Sequence, residues 1–254
     1  MRIPYLSAAL IALVIGPAIT PAFAQDIATP FHGLYVGING GYDLGKNNVR
    51  TSGLSTLNAS TVADGARPPF AKMDPEGFLG GVQLGRNWQA NHYVLGLETD
   101  AQYTDMRDTR NFVTTGNAFP GVRNNQFRQD MNWFGTTRGR LGYVWGNSML
   151  YGTGGFAYGR LKEGVNFSGP TPAAVQQFAS TDNRTNVGYT AGAGFEQFLN
   201  DNLSIKTEYL YYDLGHSQVY SNPIAGSGGT GNGYLSSFGN RGQIARVGIN
   251  YRLD

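Results

Sequence analysis

The chain has 254 residues, no cysteine, and 19 Lys+Arg against 17 Asp+Glu. The lack of cysteine excludes a disulfide framework, thiolate metal sites and thiol chemistry, and the near balance of charge gives no sign of strong affinity for nucleic acid or anionic lipid. With 37 glycines, 15 tyrosines and 14 phenylalanines, the composition favours many strands and turns over a helical enzyme.

The N-terminal segment has the pattern of a secretory signal peptide. Arg2 supplies the positive charge, a short apolar run follows from Leu6 to Ile15, and Ala22-Phe23-Ala24 forms an A-x-A cleavage site. The run is too short to span a membrane as a helix, which needs about 20 apolar residues. We therefore expect residues 1–24 to be removed and residues 25–254 to form one domain; the alternative is an uncleaved anchor.

Eight segments after residue 25 alternate in polarity with a period of two, the pattern of a strand with two different faces. In most of them one face is apolar and the other carries Gly, Asn or charged residues. In the fifth segment both faces carry glycine and aromatic residues, so its inward face stays open. The predicted strands are Gly33–Tyr42, Gly77–Trp88, Tyr93–Tyr103, Met131–Tyr143, Met149–Leu161, Val187–Leu199, Leu203–Leu214 and Gln243–Leu253.

The connections between these strands alternate strictly between long and short. Compact soluble domains rarely hold structureless loops longer than about 12–15 residues, whereas long loops at one end and short turns at the other are typical of an outer-membrane barrel. The sequence therefore predicts an all-β, eight-stranded, antiparallel up-and-down transmembrane barrel with four long outer loops and both termini in the periplasm. The long connections are residues 43–76, 104–130, 162–186 and 215–242, and the short ones are residues 89–92, 144–148 and 200–202.

Aromatic residues on the apolar faces lie near the ends of the predicted strands, where the two interfaces of a membrane would be. The alternative fold is a soluble lipocalin-like barrel or β-sandwich, with the apolar face inside and the charges outside. Four long loops on one rim fit that alternative poorly. The residues expected at the interfaces are Tyr42, Trp88, Tyr93, Tyr103, Trp133, Tyr143 and Tyr251.

The polar faces, which would point into the barrel, carry four acidic and four basic residues. An eight-stranded barrel is only wide enough to be filled by side chains, and buried charges must be paired. We therefore interpret these residues as packing rather than as a catalytic or ion-conducting site. A three-residue turn at Asn200–Asn202 would place Glu196 opposite Lys206. The predicted lumen charges are Glu98, Asp100, Arg138, Arg140, Glu196, Lys206, Glu208 and Arg246.

The last predicted strand resembles the C-terminal signal that the barrel assembly machinery of the outer membrane reads. That signal is a polar residue, then x, Gly, two residues, an aromatic, x and an aromatic. Arg246, Gly248 and Tyr251 occupy their places, and Leu253 stands where a terminal Phe is usual.

The mature chain as a whole resembles the small outer-membrane β-barrel proteins of alphaproteobacteria, the surface-antigen and haemin-binding family often labelled porin family proteins. The resemblance covers most strands and none of the loops. It implies an eight-stranded barrel in the bacterial outer membrane, and its members are described variously as structural antigens, haemin binders and porins. The matching stretches are Gly33–Tyr42, Gly96–Asp100, Gly152–Gly159, Gly192–Glu196 and Glu208–Gly215.

Few residues point to catalysis or to metal binding. His32 and His92 are isolated, and no two histidines have the spacing of a metal site. Asp213, His216 and Ser217 lie close together near the predicted outer rim, but His216 and Ser217 would face opposite sides of a strand. The glycine-rich run 226–233 lacks the Lys-Ser/Thr of a phosphate-binding loop and is interpreted as a loop tip. We expect no catalytic residue, no metal and no cofactor, with haem as the one alternative.

Aromatic residues are scattered through the predicted outer loops, where they would either pack the loops together or contact a partner or a flat ligand such as haem. Three functions follow. The first is a non-enzymatic structural protein that anchors in outer-membrane lipid and presents its loops for envelope stability or to an unknown partner. The second is a narrow pore, although wide channels appear only at about 16–18 strands. The third, haemin capture, is implied by the resemblance alone. The loop aromatics are Phe70, Phe112, Phe119, Phe127, Phe178, Tyr220, Tyr234 and Phe238.

Overall fold

The computed structural model describes residues 29–173 and 175–253, so the predicted signal peptide with Ala22 and Ala24 lies outside the described residues. The described chain consists mainly of strands, with one helix, α1 (Thr56–Ala63). Within this part of the chain no helix is long and apolar enough to cross a membrane. The strands are β1 Gly33–Gly45, β2 Asn47–Gly53, β3 Phe70–Met73, β4 Glu76–Ala90, β5 Tyr93–Thr104, β6 Arg107–Thr114, β7 Arg123–Trp145, β8 Ser148–Pro170, β9 Gln176–Phe198, β10 Leu203–Ser221 and β11 Tyr234–Arg252.

Eight of the strands form a closed antiparallel ring. Their order is β1–β4–β5–β7–β8–β9–β10–β11, and β11 pairs back with β1. These are the eight predicted strands in chain order, so the predicted eight-stranded all-β barrel is confirmed. Closure of the ring gives its strands hydrogen-bonded neighbours on both sides, which is what backbone groups require where water is absent.

Three short turns lie at one end of the barrel, as predicted. Asn91 and His92 join β4 to β5, Gly146 and Asn147 join β7 to β8, and residues 199–202 join β9 to β10. Asn91 has a φ of 53° and Gly146 a φ of 59°. Asn and Gly adopt this left-handed conformation more readily than other residues, which suits them to reverse the chain within two residues.

The burial pattern along the ring strands gives each strand an apolar outward face and a polar inward face. Ile38 and Leu97 are exposed on the outside, whereas their neighbours Asn39 and Glu98 are buried inside. Exposed or half-buried aromatic side chains lie at both ends of the apolar surface, and we call the two sets the loop-side ring and the turn-side ring. The loop-side ring is Tyr42, Phe78, Tyr103, Trp133, Tyr158, Tyr189 and Tyr211, and the turn-side ring is Trp88, Tyr93, Tyr143, Trp145 and Tyr251.

The structure shows which face of β8 points into the barrel, a point that its sequence left open. Met149, Tyr151 and Leu161 are buried inside the barrel, and Leu150 and Phe156 are exposed on the outside. The inward and outward residues of this strand differ in size and in neighbours rather than in polarity. Its polarity pattern therefore could not distinguish the two faces.

Strands β7 to β11 continue well past the loop-side ring, through stretches that the sequence predicts as loops. There β2 pairs with β11, β3 pairs with β2, and β6 pairs with β7. We call this part, together with α1, the extension. The four long outer segments predicted from the sequence are present, and much of residues 43–76, 104–130, 162–186 and 215–242 is β-structure.

The sequence does not predict the strands of the extension, because the polarity of their residues alternates in the opposite sense. In β7, Phe127 and Gln129 are buried, while the side chain of Arg128 between them is 53% exposed. Beyond the loop-side ring the outward face meets water, so it carries charged residues and the interior carries apolar ones. A pattern that requires apolar outward faces does not identify such segments as strands.

Glycines on inward faces make room for large side chains from neighbouring strands. Tyr35 on β1 is the cross-strand neighbour of Gly85 on β4, and its ring occupies the space that a Cβ atom would need. Gly85→Ala is therefore expected to displace the ring and to lower the free energy of unfolding by about 1–3 kcal/mol. Urea unfolding of the protein refolded in detergent micelles measures the effect.

The matched control for this variant is Gly152→Ala on β8. Gly152 faces outward, and no atom lies within 4 Å of a Cβ built there. Because alanine suits a strand better than glycine by roughly 0.5–1 kcal/mol, the control is expected to be neutral or slightly stabilising. Equal stability of the two variants would contradict the packing of Tyr35 against Gly85.

Candidate functional site in the lumen

The eight residues predicted as lumen charges all lie on inward faces, and each is 5% exposed or less. They come from β5, β7, β9, β10 and β11, and the structure brings them together between the two aromatic rings. We call this set the charge layer. Its members are Glu98, Asp100, Arg138, Arg140, Glu196, Lys206, Glu208 and Arg246.

Arg138 is the centre of the charge layer. Its guanidinium group donates to Glu98 Oε1 at 2.5 Å, to Glu208 Oε1 at 2.8 Å and to Asp100 Oδ2 at 3.1 Å. Its Nε donates to the hydroxyl of Thr136 at 2.8 Å, and that hydroxyl donates to Asp100 at 2.8 Å. One cation therefore bridges carboxylates on β5 and β10, two strands that are not neighbours in the ring.

Two further cations surround the same three carboxylates. Lys206 Nζ donates to both carboxylate oxygens of Glu98, at 2.8 and 2.7 Å. Arg246 donates from Nε to Glu208 at 2.7 Å and from Nη2 to Asp100 at 3.0 Å. Each carboxylate thus meets at least two cations. Such multiple, hydrogen-bonded pairing is what offsets the cost of removing charges from water.

Glu196 is the cross-strand neighbour of Lys206, so the register predicted from the three-residue turn is confirmed. Its ion-pair partner, however, is Arg140, whose Nη2 donates to Glu196 Oε2 at 2.5 Å. Ser204 and Asn250 donate to the other carboxylate oxygen at 2.6 and 2.8 Å. Register alone therefore does not decide ion pairing here, because the long arginine side chains reach across the lumen.

Two tyrosines outside the predicted set of lumen charges complete the charge layer. The hydroxyl of Tyr35 donates to Glu98 at 2.7 Å and accepts from Arg140 at 2.8 Å. The hydroxyl of Tyr151 donates to Glu208 at 3.0 Å, and the guanidinium carbon of Arg140 lies 4.2 Å from the centre of the Tyr151 ring. The sequence indicates that Tyr35 points inward, because this residue lies on the polar face of its strand. No such indication exists for Tyr151, because both faces of its strand look alike.

Buried apolar residues fill the barrel on both sides of the charge layer, and a third apolar cluster fills the extension. The turn-side cluster is Phe31, Val94, Val144, Met149, Tyr151 and Phe198. The loop-side cluster is Leu79, Met106, Met131, Phe134, Ala157, Leu161, Leu210, Tyr212, Leu214 and Ile244. The extension cluster is Val49, Ala71, Met73, Phe127, Val165, Phe167, Phe178, Val219, Tyr234 and Phe238.

Four of the eight aromatics predicted for the outer loops are buried in the extension cluster, namely Phe127, Phe178, Tyr234 and Phe238. For these four, the expectation of exposed contacts with a partner or ligand is wrong, and the alternative of packing is confirmed. Phe112 is half-buried and packs against the same cluster. The exposed members of the set are Phe70 and Tyr220.

Arg67, in the segment after α1, is buried where the extension cluster ends. Its Nη1 donates to Asn125 Oδ1 at 2.9 Å and to the carbonyl oxygen of Ser168 at 2.7 Å, and its Nη2 donates to Gln177 Oε1 at 3.1 Å. Its guanidinium carbon lies 5.2 Å from the centre of the Phe167 ring. No sequence pattern marks this role, because a single arginine in a long polar stretch resembles a solvated one.

A second polar layer lies in the extension around Glu163, outside the band that the aromatic rings delimit. Glu163 is 1% exposed, and its neighbours are the neutral side chains of Ser217, Asn240 and Gln129. Burial raises the pKa of Glu163 to about 7, although hydrogen bonds from these neighbours and the charge of Arg184 act in the opposite direction. The extension therefore holds a buried carboxyl group that changes its charge near neutral pH.

This carboxyl is expected to make the protein less stable as the pH rises. Because folding raises its pKa from 4.5 to about 7, the folded state binds the proton more tightly than the unfolded state. The resulting stabilisation is complete below pH 4.5 and is lost as the pH approaches 7. We expect the free energy of unfolding to fall by about 3 kcal/mol across this range. In the variant Glu163→Gln this pH dependence is expected to be absent. Urea unfolding at a series of pH values measures this fall. If the difference in the free energy of unfolding between wild type and variant were the same at every pH, the prediction would be contradicted.

The residues considered for catalysis do not form a site. His216 is exposed and Ser217 is fully buried, so the two side chains face opposite sides of β10, as predicted. The hydroxyl of Ser217 accepts a hydrogen bond from Asn186 Nδ2 at 2.9 Å. In residues 29–173 and 175–253, no group of three or more His, Cys, Asp or Glu side chains is placed to hold a metal ion.

The residues that resemble an assembly signal lie on or directly after β11. Arg246 belongs to the charge layer, and Tyr251 and Leu253 are exposed at the turn-side end of the outer surface. A Cβ atom on Gly248 would lie 3.3 Å from Lys206 Cε, so this glycine leaves room for a lumen side chain. Recognition of these residues by the assembly machinery stays a prediction.

Known proteins similar to this chain are outer-membrane proteins. The family model described as the outer membrane protein beta-barrel domain matches residues 8–252. The 31 kDa outer-membrane immunogenic protein of Brucella melitensis is 34% identical over 245 residues, which cover 95% of this chain and 91% of that protein. The 22 kDa outer membrane protein of Rhizobium leguminosarum is 36% identical over 137 residues, 54% of this chain and 53% of that protein. Among solved structures, OprG of Pseudomonas aeruginosa matches with a TM-score of 0.49 and 15% identity, over 87% of this chain and 96% of that chain.

Proposed function

The chain belongs to the family of outer-membrane β-barrel proteins, and from this premise we propose that it is a non-enzymatic structural protein of the bacterial outer membrane. The barrel anchors the chain in lipid and carries the extension on the outer side. There the extension contributes to envelope stability or presents a surface to a partner. The observation that carries this proposal is the filled lumen, in which paired charges are enclosed by apolar clusters.

The two described chain ends support an orientation with the termini in the periplasm. Arg252 donates to the carbonyl oxygen of Pro30 at 2.7 Å, so both ends meet on the side of the short turns. Outer-membrane barrels have short periplasmic turns and longer outer segments. We therefore place the turn-side ring at the periplasmic interface and the extension outside the cell.

The filled lumen favours an anchor over a narrow pore. A permeating ion would have to separate Arg138 from its carboxylates, and breaking a buried ion pair costs about 3–5 kcal/mol. We do not extend the function to haemin capture, because half of the loop aromatics that could contact haem are buried in the extension cluster. Phe70 and Tyr220 are the exposed ones in that set.

Single-channel recording in a planar bilayer tests the proposal. We expect the refolded mature protein to insert without conductance steps, because the side chains of the charge layer leave no path for hydrated ions. The difference in gel mobility between unheated and heated samples shows that the same preparation contains folded barrel, and protein-free detergent is the blank. Reproducible steps from folded barrel would contradict a filled lumen and favour the pore.

A further inference from the structure

A groove with a volume of about 700 Å³ lies on the outward, apolar surface of the barrel. Ile38, Val82 and Ala101 line it and are consecutive cross-strand neighbours on β1, β4 and β5. The same row continues through Gly135 on β7 to Tyr158 on β8, which also lines the groove. The groove therefore follows the sheet across its strands rather than along one of them.

The groove extends across the membrane band, from Ile249 and Tyr251 of the turn-side ring on β11 to Tyr158 of the loop-side ring. The row from Ile38 to Tyr158 forms its loop-side part: Ile38 lies four residues before Tyr42 of the loop-side ring, and Tyr158 belongs to that ring itself. The row crosses four strand spacings from β1 to β8, roughly 19 Å at about 4.8 Å each. One leaflet of hydrocarbon is about 15 Å thick. The length and slope of this loop-side part of the groove therefore suit a lipid acyl chain of one leaflet.

Packing at the upper end explains why the groove is there. The ring of Tyr158 covers Gly135, where a Cβ atom would overlap it, and stacks on Trp133 with ring centres 5.3 Å apart. Between this aromatic pair and the bulkier Val82, β5 presents the small side chain of Ala101. The outward surface is therefore lower over β5 than on either side of it.

Directly above the loop-side ring, this wall of the barrel is basic. Arg160 and Lys162 are exposed on β8, and Arg160 Nε donates to Asn183 Oδ1 at 3.1 Å. Asp130, the cross-strand neighbour of Lys162, pairs with Arg128 at 2.6 Å. On β7 and β8, three cations therefore share one carboxylate, although the whole chain is nearly neutral. On the neighbouring β9, Arg184 and Asp182 pair with each other.

We propose that the groove and the basic pair above it hold one phosphate-bearing lipid of the outer leaflet. An acyl chain lies in the groove, and a phosphate group binds Arg160 and Lys162. Guanidinium groups bind phosphate oxygens through paired hydrogen bonds, and basic side chains at a lipid surface attract anionic headgroups. This inference rests on the proposed orientation, which puts Arg160 at the outer interface.

A second copy of the barrel fits the groove less well than a lipid. Two barrels that met symmetrically through this face would present the same patch to each other at the same height in the membrane. The Arg160 and Lys162 side chains of both copies would then come together, and like charges repel. A phosphate-bearing lipid complements this charge instead of duplicating it.

Native mass spectrometry of the refolded protein with added diphosphoryl lipid A tests the phosphate site, with the same lipid stripped of its phosphates as the comparison. We expect the wild type to retain the phosphorylated lipid preferentially. Because each basic residue near a lipid surface contributes about 1 kcal/mol, the double variant Arg160→Ser, Lys162→Ser is expected to bind it roughly 30-fold more weakly. Lys46→Ser, Arg241→Ser is the matched control, since it removes equal charge from exposed residues elsewhere on the rim.

Ala101→Phe tests the groove, because a large ring on β5 would fill it. We expect this variant to weaken retention of both lipids. Ala193→Phe, on the outward face of β9, is the control for the same substitution and is expected to bind like the wild type. Gel mobility of unheated samples checks that each variant is folded.

Equal retention of the two lipids, or equal loss in the two serine double variants, would overturn the phosphate site. A lipid-independent dimer that Ala101→Phe disrupts would overturn the lipid as occupant in favour of a second copy. Labelling of exposed Lys72 in the extension with a membrane-impermeant reagent on intact cells tests the orientation separately. Failure of Lys72 to react would overturn the proposed function, whereas a labelled Lys72 without phosphate preference would overturn the lipid site alone.

Discussion

Arg138→Ala is expected to destabilise the barrel by about 3–5 kcal/mol, because it leaves three buried carboxylates without the cation that joins them. Arg138 is buried and pairs with Glu98, Asp100 and Glu208 at 2.5 to 3.1 Å. Water cannot replace the guanidinium group without an opening of the lumen. Urea unfolding of the refolded protein in detergent micelles, followed by tryptophan fluorescence, measures the change in the free energy of unfolding.

Arg128→Ala is the control for this prediction. The side chain of Arg128 is 53% exposed and pairs with Asp130 on the outside of the extension, so its loss is expected to change stability by less than about 1 kcal/mol. Should Arg138→Ala fail to fold, the double variant Arg138→Met, Glu208→Gln removes charge of both signs and is expected to recover part of the loss. A stability of Arg138→Ala within about 1 kcal/mol of the wild type would show that the charge layer does not hold the barrel together.

The membrane-spanning part of the fold was predictable because lipid imposes a simple rule on it. Outward residues such as Ile38 and Leu97 must be apolar, and a narrow lumen favours polar inward residues such as Asn39 and Glu98. The alternation can then be read directly from the chain. The short turns followed from the same strands, since only a few residues separate their ends.

The extension was not predictable by the same rule, because its surroundings change from lipid to water within a single strand. Leu141 and Phe127 belong to the same strand, β7, yet Leu141 is exposed to the membrane and Phe127 is buried inside the extension. One strand thus carries both polarity patterns, joined at a register shift between Met131 and Trp133. A prediction that assumes one polarity pattern along the whole strand fails at that point and assigns a loop to the rest.

Within the lumen, the sequence identified the charged residues but not their partners. Cross-strand register places Glu196 beside Lys206, whereas the contacts join Glu196 to Arg140 and Lys206 to Glu98. These contacts depend on the closure of the barrel, which brings non-adjacent strands within reach of long side chains. The buried role of Arg67 depends on the path of a long connection, which no local pattern encodes.

Phe127→Ala is expected to destabilise the extension while leaving the membrane-spanning barrel folded. Phe127 is fully buried and makes edge-to-face contacts with Phe112, Phe167 and Phe238, with ring centres 5.9, 5.7 and 6.2 Å apart. Removal of a buried phenylalanine ring costs about 3–5 kcal/mol through lost contacts and the cavity left behind. The destabilisation is expected to be confined to the extension, because the loop-side cluster lies between the extension cluster and the charge layer.

Limited proteolysis of the refolded protein measures this local effect. Where cleavage follows the population of the opened state, a loss of about 3 kcal/mol speeds cleavage of the extension by roughly 100-fold. Phe156→Ala is the control, because this ring faces outward within the membrane band and is expected to leave the cleavage rate unchanged. If the unheated gel band of folded barrel disappeared together with the extension, the two parts would unfold as one unit. Its persistence would mean that the lipid-anchored ring is stable without the extension cluster, so the sequence of the extension could change without loss of the membrane-spanning barrel.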